Sequence, residues 1–227
     1  MNEKIKKYKI PIILSLIIII ISLPVIFPSA FAHKLLSVDP QNTMKQIAEE
    51  IPDPSKQSWF TLEVFERQGQ SHWYSFIGNE GQDVLIQALV PDLPHSRNFN
   101  PSFDLIIGDD KVTAQQVNIA YVEPYSHTNW FVKAELRITL PDYGIYYIRA
   151  HDELNHYSVG DIGKFSLGIG EKESLTFIET LSIPVWIMYV NLFFDNLIFV
   201  WVSLVLVFIL LVVFLVLLTE SRRASKS

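Results

Sequence analysis

The 227-residue chain carries 18 Lys and Arg against 24 Asp and Glu, a net charge of −6, and has no cysteine. Disulfides, zinc-thiolate sites and thiol nucleophiles are therefore excluded. The negative charge is concentrated between His33 and Asn191, where 11 basic side chains stand against 21 acidic ones, a net of −10. Nucleic acids and anionic lipid head groups are disfavoured as partners, because both require a basic surface.

The chain begins with a basic cluster and an apolar run typical of export. Four lysines precede the apolar segment from Ile10 to Phe27, which ends at Ala30-Phe31-Ala32, the small-x-small pattern that signal peptidase cuts. Prolines within the run favour a cleaved signal peptide, 1–32, over a retained signal anchor, which stays the alternative. The mature chain would then start at His33.

Residues 33–58 are expected to form an extended lead with one short helix, Thr43 to Glu50, which the following prolines would end. From Trp59 onward, short β-type segments alternate with turn sequences. The predicted strands are Trp59 to Phe65, His72 to Ile77, Asp83 to Leu89, Phe103 to Ile107, Gln116 to Val122, Thr128 to Lys133, Glu135 to Leu140, Ile145 to Ala150 and Lys164 to Ile169.

Several of these segments alternate between apolar and polar residues, as Leu136, Ile138 and Leu140 do against Arg137 and Thr139. Alternation of this kind indicates antiparallel sheets with one buried face. Strands spaced about ten residues apart predict an all-β domain, 59–170, built as a jelly-roll-like antiparallel sandwich.

Two motifs resemble a known family. The first runs through His72-Trp73-Tyr74-Ser75-Phe76, Gly78 and then Gly81 to Ile86, and the second is Leu140 to Ile148, which includes Tyr143-Gly144-Ile145-Tyr146. Together with Gly163 to Leu167 as a closing strand, they resemble the bacterial pre-peptidase C-terminal domain. That resemblance implies a jelly-roll-like binding or structural module, with no catalytic residues to carry over.

The C-terminal part has the composition of a membrane anchor. Residues 171–196 predict a membrane-proximal connector with an amphipathic helix broken near Pro184, lying against the outer leaflet or extending the anchor. Leu197 to Leu218 has no charge over 22 residues, enough at about 1.5 Å per residue to span a bilayer core of about 30 Å. Arg222, Arg223 and Lys226 in the tail, 219–227, predict a cytoplasmic C-terminus and an outside ectodomain.

A metal site is the sharpest chemical hypothesis for the exported part. Cleavage after Ala32 would expose the amino group and imidazole of His33, a pair that suits Cu(II), with a second histidine completing the site. The candidate partners are His95, His127, His151 and His156. Calcium is the weaker metal hypothesis. Asp109 and Asp110, or Asp152, Glu153 and Asp161, could supply its ligands, but neither group has the spacing of a calcium loop, and solvated turn carboxylates are the better interpretation.

Catalytic signatures are missing from the sequence: it has no Gly-x-Ser-x-Gly elbow, His-Glu-x-x-His motif or phosphate-binding glycine loop. We therefore expect that the chain is not an enzyme and that it binds no cofactor, with copper as the alternative. Half of the aromatic residues at Trp73, Tyr74, Phe76, Tyr143, Tyr146 and Tyr147 are expected to be core. Trp130 and Phe131, with His95 and Tyr125 in neighbouring loops, are the predicted partner-contact residues.

These features predict a single-pass membrane protein whose ectodomain binds a membrane or surface protein as an accessory module, with the bilayer contacted through the anchor. A copper-binding or copper-delivery protein using His33 is the alternative. The third hypothesis is a surface glycan binder or an accessory protein of a hydrolase.

Overall fold

In a computed structural model, the chain is described over residues 33–39, 41–67, 69–94, 96, 98–123, 126–152, 163–172 and 176–224. The predicted signal peptide lies outside these residues. The strands are β1 Lys34–Leu35, β2 Glu49–Glu50, β3 Trp59–Phe60, β4 Glu63–Phe65, β5 Ser71–Gly78, β6 Asp83–Pro91, β7 Ser102–Ile107, β8 Asp110–Thr113, β9 Gln115–Glu123, β10 Thr128–Thr139, β11 Gly144–His151 and β12 Gly163–Ile169.

The strands form two sheets. A seven-stranded sheet has the order β1-β3-β12-β6-β10-β9, with β4 also paired to β12, and a five-stranded sheet has the order β2-β5-β11-β7-β8. The pairs β1/β3 and β2/β5 are parallel, whereas the longer strands pair antiparallel. The expectation of purely antiparallel sheets is therefore wrong at the lead, which adds one short strand to each sheet.

The helix predicted from Thr43 to Glu50 is also wrong. Only Lys45–Ile47 is helical, as a single 3-10 turn, and Glu49–Glu50 is β2. Backbone hydrogen bonds from Trp73 to Asn42 (2.7 Å) and from Ile51 to Ser75 (2.7 Å) hold this segment against β5. Pairing with an existing sheet satisfies the backbone better than an isolated helix of two turns, whose nucleation is unfavourable.

The strands predicted from Trp59 onward are confirmed, with two changes. The predicted strand Trp59 to Phe65 is divided into β3 and β4. Between them, the Thr61 amide donates to the Leu167 carbonyl (3.1 Å), and the Thr61 hydroxyl accepts from the Leu167 amide (3.0 Å). The two strands predicted between Thr128 and Leu140 form the single strand β10, Thr128–Thr139, which passes through a β-bulge at Lys133. β8 was not predicted.

One buried cluster contains side chains from both sheets. The five-stranded sheet contributes Tyr74, Phe76, Phe103, Leu105, Tyr146 and Ile148, and the seven-stranded sheet contributes Ile86, Ala88, Val90, Ala134, Phe165, Leu167 and Ile169. Of the six aromatic residues considered above, Tyr74, Phe76 and Tyr146 are buried in it, so the expectation that half of them are core is confirmed.

Two helices follow the sheets: α1 Phe177–Phe193 and α2 Leu197–Ala224. Thr176 caps α1 in a capping box with Glu179. The predicted break at Pro184 does not occur, because α1 continues through this residue. Packing of the neighbouring turns on the seven-stranded sheet offsets the hydrogen bond that proline removes.

α1 does not extend straight into α2. Asp195, with φ +56°, lies in the turn between them. Within α2, Leu197 to Val216 is the one segment of the described chain that is long and apolar enough to cross a membrane. The other helix, α1, instead covers the outer face of the seven-stranded sheet.

Candidate functional site

Three of the histidines predicted as copper ligands lie in the described residues. His33 precedes β1, His127 is exposed in the turn before β10, and His151 is buried at the end of β11. His95 and His156 lie outside the described residues. The described part of the chain contains no group of three His, Cys, Asp or Glu side chains able to hold a metal ion.

The surroundings of His33 define its protonation. Its ring stacks on Phe60, 6.1 Å between centroids, and its Nδ1 is hydrogen-bonded to the Ser58 hydroxyl. The Ser58 hydroxyl donates its proton to the Gly170 carbonyl (2.9 Å), so Nδ1 of His33 must be the donor to Ser58. Burial lowers the pKa of His33 to about 4, which leaves a neutral imidazole with its lone pair on Nε2.

The contact with Ser58 competes with the predicted copper chelate. An N-terminal histidine chelates through its amine and Nδ1, the nitrogen that Ser58 occupies here. Copper binding at His33 therefore stays a prediction that requires the Ser58 contact to open. Of the carboxylates considered as calcium ligands, Asp109 and Asp110 are exposed, Asp152 is half-buried, and Glu153 and Asp161 lie outside the described residues.

His33 lines a small, mainly apolar cavity between the seven-stranded sheet and α1. The other lining residues are Leu35, Phe60, Glu123, Ser126, Ile183, Trp186, Ile187 and Val190. Glu123 is buried and accepts hydrogen bonds from the amide and hydroxyl of Ser126 (2.6 and 2.7 Å). Its carboxylate therefore holds Ser126, another lining residue, in place.

Trp130 anchors the contact between the sheet and α1. Its ring is edge-on to Phe60 (5.1 Å) and Phe194 (4.8 Å) and stacks on Phe193 (6.1 Å). Its Nε1 donates to the Thr128 hydroxyl (2.9 Å), so the polar edge of the indole is satisfied inside the contact.

The prediction of Trp130 as an exposed partner contact is wrong, because only 1% of it is accessible. α1 covers this face of the sheet. Phe131 is half-buried, and Lys133 lies over its ring at 5.3 Å. His95 and Tyr125, the other two predicted contacts, lie outside the described residues.

Two ion pairs hold α1 at its ends. Lys164 on β12 donates to the Phe193 carbonyl (2.7 Å) and to Asp195 (2.8 Å), at the turn before α2. Lys34 on β1 donates to Glu179 in the first turn of α1, and this hydrogen bond lowers the pKa of Glu179 to about 2. The helix is thus fixed to the sheet by an aromatic cluster in the middle and by charges at both ends.

A buried polar network inside the domain was not predicted. Glu63 accepts from the Tyr74 hydroxyl (2.9 Å) and lies 3.3 Å from Nδ1 of His72, which also contacts Oδ1 of Asn42 (2.8 Å). Burial raises the pKa of Glu63 to about 7 and lowers the pKa of His72. Nothing in the alternation of β4 distinguishes Glu63 from a solvent-facing glutamate.

A second buried carboxylate lies on the five-stranded sheet. Asp104 on β7 accepts from the Thr113 hydroxyl (2.7 Å) and lies 3.2 Å from His151 and 3.4 Å from Lys111. This cluster joins three neighbouring strands, so it explains the burial of His151 without a metal ion.

The fold was compared with known proteins. No family model matches the sequence, and no curated protein matches it. The pre-peptidase C-terminal domain of a Bacillus anthracis collagenase is similar in structure, with a TM-score of 0.33 and 12% identity over 54% of this chain and 93% of that one. That collagenase domain is a member of the family that the sequence resembles.

Two other solved structures are also similar. A periplasmic inhibitor of g-type lysozyme from Aeromonas hydrophila has a TM-score of 0.36 and 14% identity over 55% of this chain and 97% of the inhibitor. A surface-associated copper-binding protein of Methylomicrobium album BG8 has a TM-score of 0.27 and 12% identity over 63% of this chain and 100% of that protein. These TM-scores are too low for the likenesses to carry a functional inference.

Proposed function

We propose that this chain is a membrane-anchored extracytoplasmic β-sandwich module that binds a membrane or surface protein as a non-catalytic accessory subunit. The observation that carries the proposal is the attachment of α1 to the seven-stranded sheet through Trp130, Phe193 and Lys164. Only the short turn at Asp195 separates this attached helix from α2, the helix able to cross a membrane.

This attachment limits how the domain can move relative to its anchor. A domain on a long flexible linker samples many orientations. A domain packed on a helix that leads into the anchor keeps one orientation and one distance from the membrane. A fixed orientation of the domain lowers the entropic cost of binding a neighbouring protein in the same membrane. It therefore suits an accessory subunit better than a tethered domain that captures freely diffusing ligands.

The orientation follows from the sequence and is part of the proposal. The leading apolar run with its cleavage pattern directs export, and the basic residues after the anchor hold the C-terminus inside. In this arrangement the acidic β domain lies outside, next to the outer leaflet.

The test is recovery of the full-length protein from its native membrane after mild cross-linking, with identification of attached proteins by mass spectrometry. We expect one stoichiometric membrane partner. Lys164→Met, which removes the contacts to Phe193 and Asp195, should reduce recovery of that partner several-fold.

Lys56→Met is the matched control, because Lys56 is exposed and forms an ion pair with Asp53, three residues before it. It should recover the partner as the wild type does. Absence of any partner above background in the wild type would overturn the proposal.

A further inference from the structure

The edge strands of the two sheets differ in length and charge. β2 consists of two glutamates, β8 is four residues long and includes Asp110 and Lys111, and β1 is two residues long, with Lys34 bound to Glu179. β4, which pairs only with β12, is three residues long and begins with Glu63. Short and charged edges prevent another strand from adding to a sheet.

β9 is longer than these edges, and its one charged residue, Glu123, lies at its end and is buried. It is nine residues long and has no charged residue and no proline from Gln115 to Val122. One side pairs with β10, and no other described strand pairs with its second side. Ile119 and Val122 are 51% and 59% exposed. A bulge near Lys133 interrupts the register, so Ile119 to Glu123 is the regular part of this edge.

We infer that β9 pairs in an antiparallel manner with β9 of a second copy of this chain. Charge favours this edge as the place where two copies meet. Residues 33–191 carry a net charge of −10, so two copies repel each other over most of their surfaces. The uncharged edge from Gln115 to Val122 is where two acidic domains can approach without bringing carboxylates together.

The sheet geometry supports the same occupant. Identical antiparallel strands are related by a two-fold axis perpendicular to the sheet, so the same sheet face lies on the same side in both copies. α1 packs on one face of the seven-stranded sheet, the face that carries Trp130, and leads into α2. Pairing through β9 therefore places both apolar helices on one side of the joined sheet, as insertion into one membrane requires.

This inference deepens the proposed function and rests on it for the shared membrane. The chain has no cysteine, so single cysteines can report on the contact without a background. Asn118→Cys, Ile119→Cys, Ala120→Cys and Val122→Cys are introduced one at a time into the full-length protein in lipid nanodiscs. Ile145→Cys is the control, because Ile145 is also 59% exposed but lies on a central strand of the other sheet.

Paired residues of antiparallel strands lie about 4.5–5.5 Å apart, within the reach of a disulfide. We expect a disulfide-linked dimer at one β9 position or two neighbouring ones, at least several-fold above Ile145→Cys. Equal cross-linking at every position, or none above the control, would overturn the inference.

A second measurement uses the molar mass of the cysteine-free protein in nanodiscs. The wild type and Ile145→Lys should be dimers, whereas Ile119→Lys should be a monomer with an unchanged melting temperature. A monomeric wild type that still recovers its membrane partner would refute the β9 pairing alone. A β9-linked dimer that recovers no partner would refute the accessory function alone.

Discussion

The ionisation of Glu63 opposes folding. Burial raises its pKa from 4.5 to about 7, so the folded state keeps a proton that the unfolded chain releases at lower pH. For a group whose folded pKa is raised, the associated stability is complete below the unfolded pKa and is lost as the pH rises through the folded pKa. The domain should therefore lose stability between pH 4.5 and about 7 because of this residue.

We expect Glu63→Gln to raise the free energy of unfolding at about pH 8 by on the order of 2 kcal/mol and to have little effect at about pH 4. The side-chain amide of the glutamine can still accept the hydrogen bond from the Tyr74 hydroxyl, and it has no charge that burial would remove from water. Melting temperatures of the full-length protein in detergent across this pH range measure the effect. Asp109→Asn, at an exposed turn, is the control, and a wild-type pH slope in Glu63→Gln would contradict the prediction.

The burial of a side chain could be predicted from the sequence only where it follows from the alternation of a single strand. Tyr74, Phe76 and Tyr146 are buried as alternation predicts. Trp130 was misassigned because its burial comes from α1, which begins 47 residues later. A signal was present, since Trp130 and Phe131 make both faces of β10 apolar at its start, a pattern typical of a strand covered on both sides.

Among the secondary-structure elements, β12 is followed directly by a residue where glycine is required. Gly170 has φ +87°, and a Cβ there would lie 2.6 Å from the Pro54 carbonyl oxygen. Its own amide and carbonyl bond to Leu85 and Ser58, so the backbone cannot move away without loss of these bonds.

Gly170→Ala should cost about 3 kcal/mol or more, because left-handed strain and the contact with Pro54 add together. Gly69→Ala is the control: Gly69 has φ +73° and nothing within 4 Å of its Cβ position, so only the backbone cost of about 1 kcal/mol remains. Chemical unfolding of both variants gives the comparison. Equal losses would show that the contact with Pro54 is relieved at no cost.

Strands were easier to predict than the lead and the connector. The long strands carry their own period-two pattern, so their positions follow from local sequence. The segment Thr43 to Glu50 and the region around Pro184 depend on their neighbours: pairing with β5 replaces a helix in the first case, and packing on the sheet preserves one in the second. Local propensity is weak enough for tertiary contacts to override it.

For the molecule as a whole, Trp130 links the β domain to the helices. Trp130→Ala should cost about 4 kcal/mol, typical of a large aromatic truncation in a packed core, and should detach α1 from the sheet. Amide hydrogen exchange in α1 should accelerate far more than exchange in β5 and β11. Trp73→Ala, on a half-buried position of the five-stranded sheet, is the control and should leave α1 protected. Unchanged protection of α1 in Trp130→Ala would contradict the predicted role.

The sequence by itself determined the β class, the position of most strands and the apolar helix near the C-terminus, because periodicity and apolar length are local properties. Only the tertiary structure decided that α1 covers the seven-stranded sheet, that Trp130 is internal, that His33 is held by Ser58, and that β9 forms a long edge without charge from Gln115 to Val122. These features depend on segments that are distant in sequence and meet only when the two sheets and α1 pack together, so no local pattern encodes them.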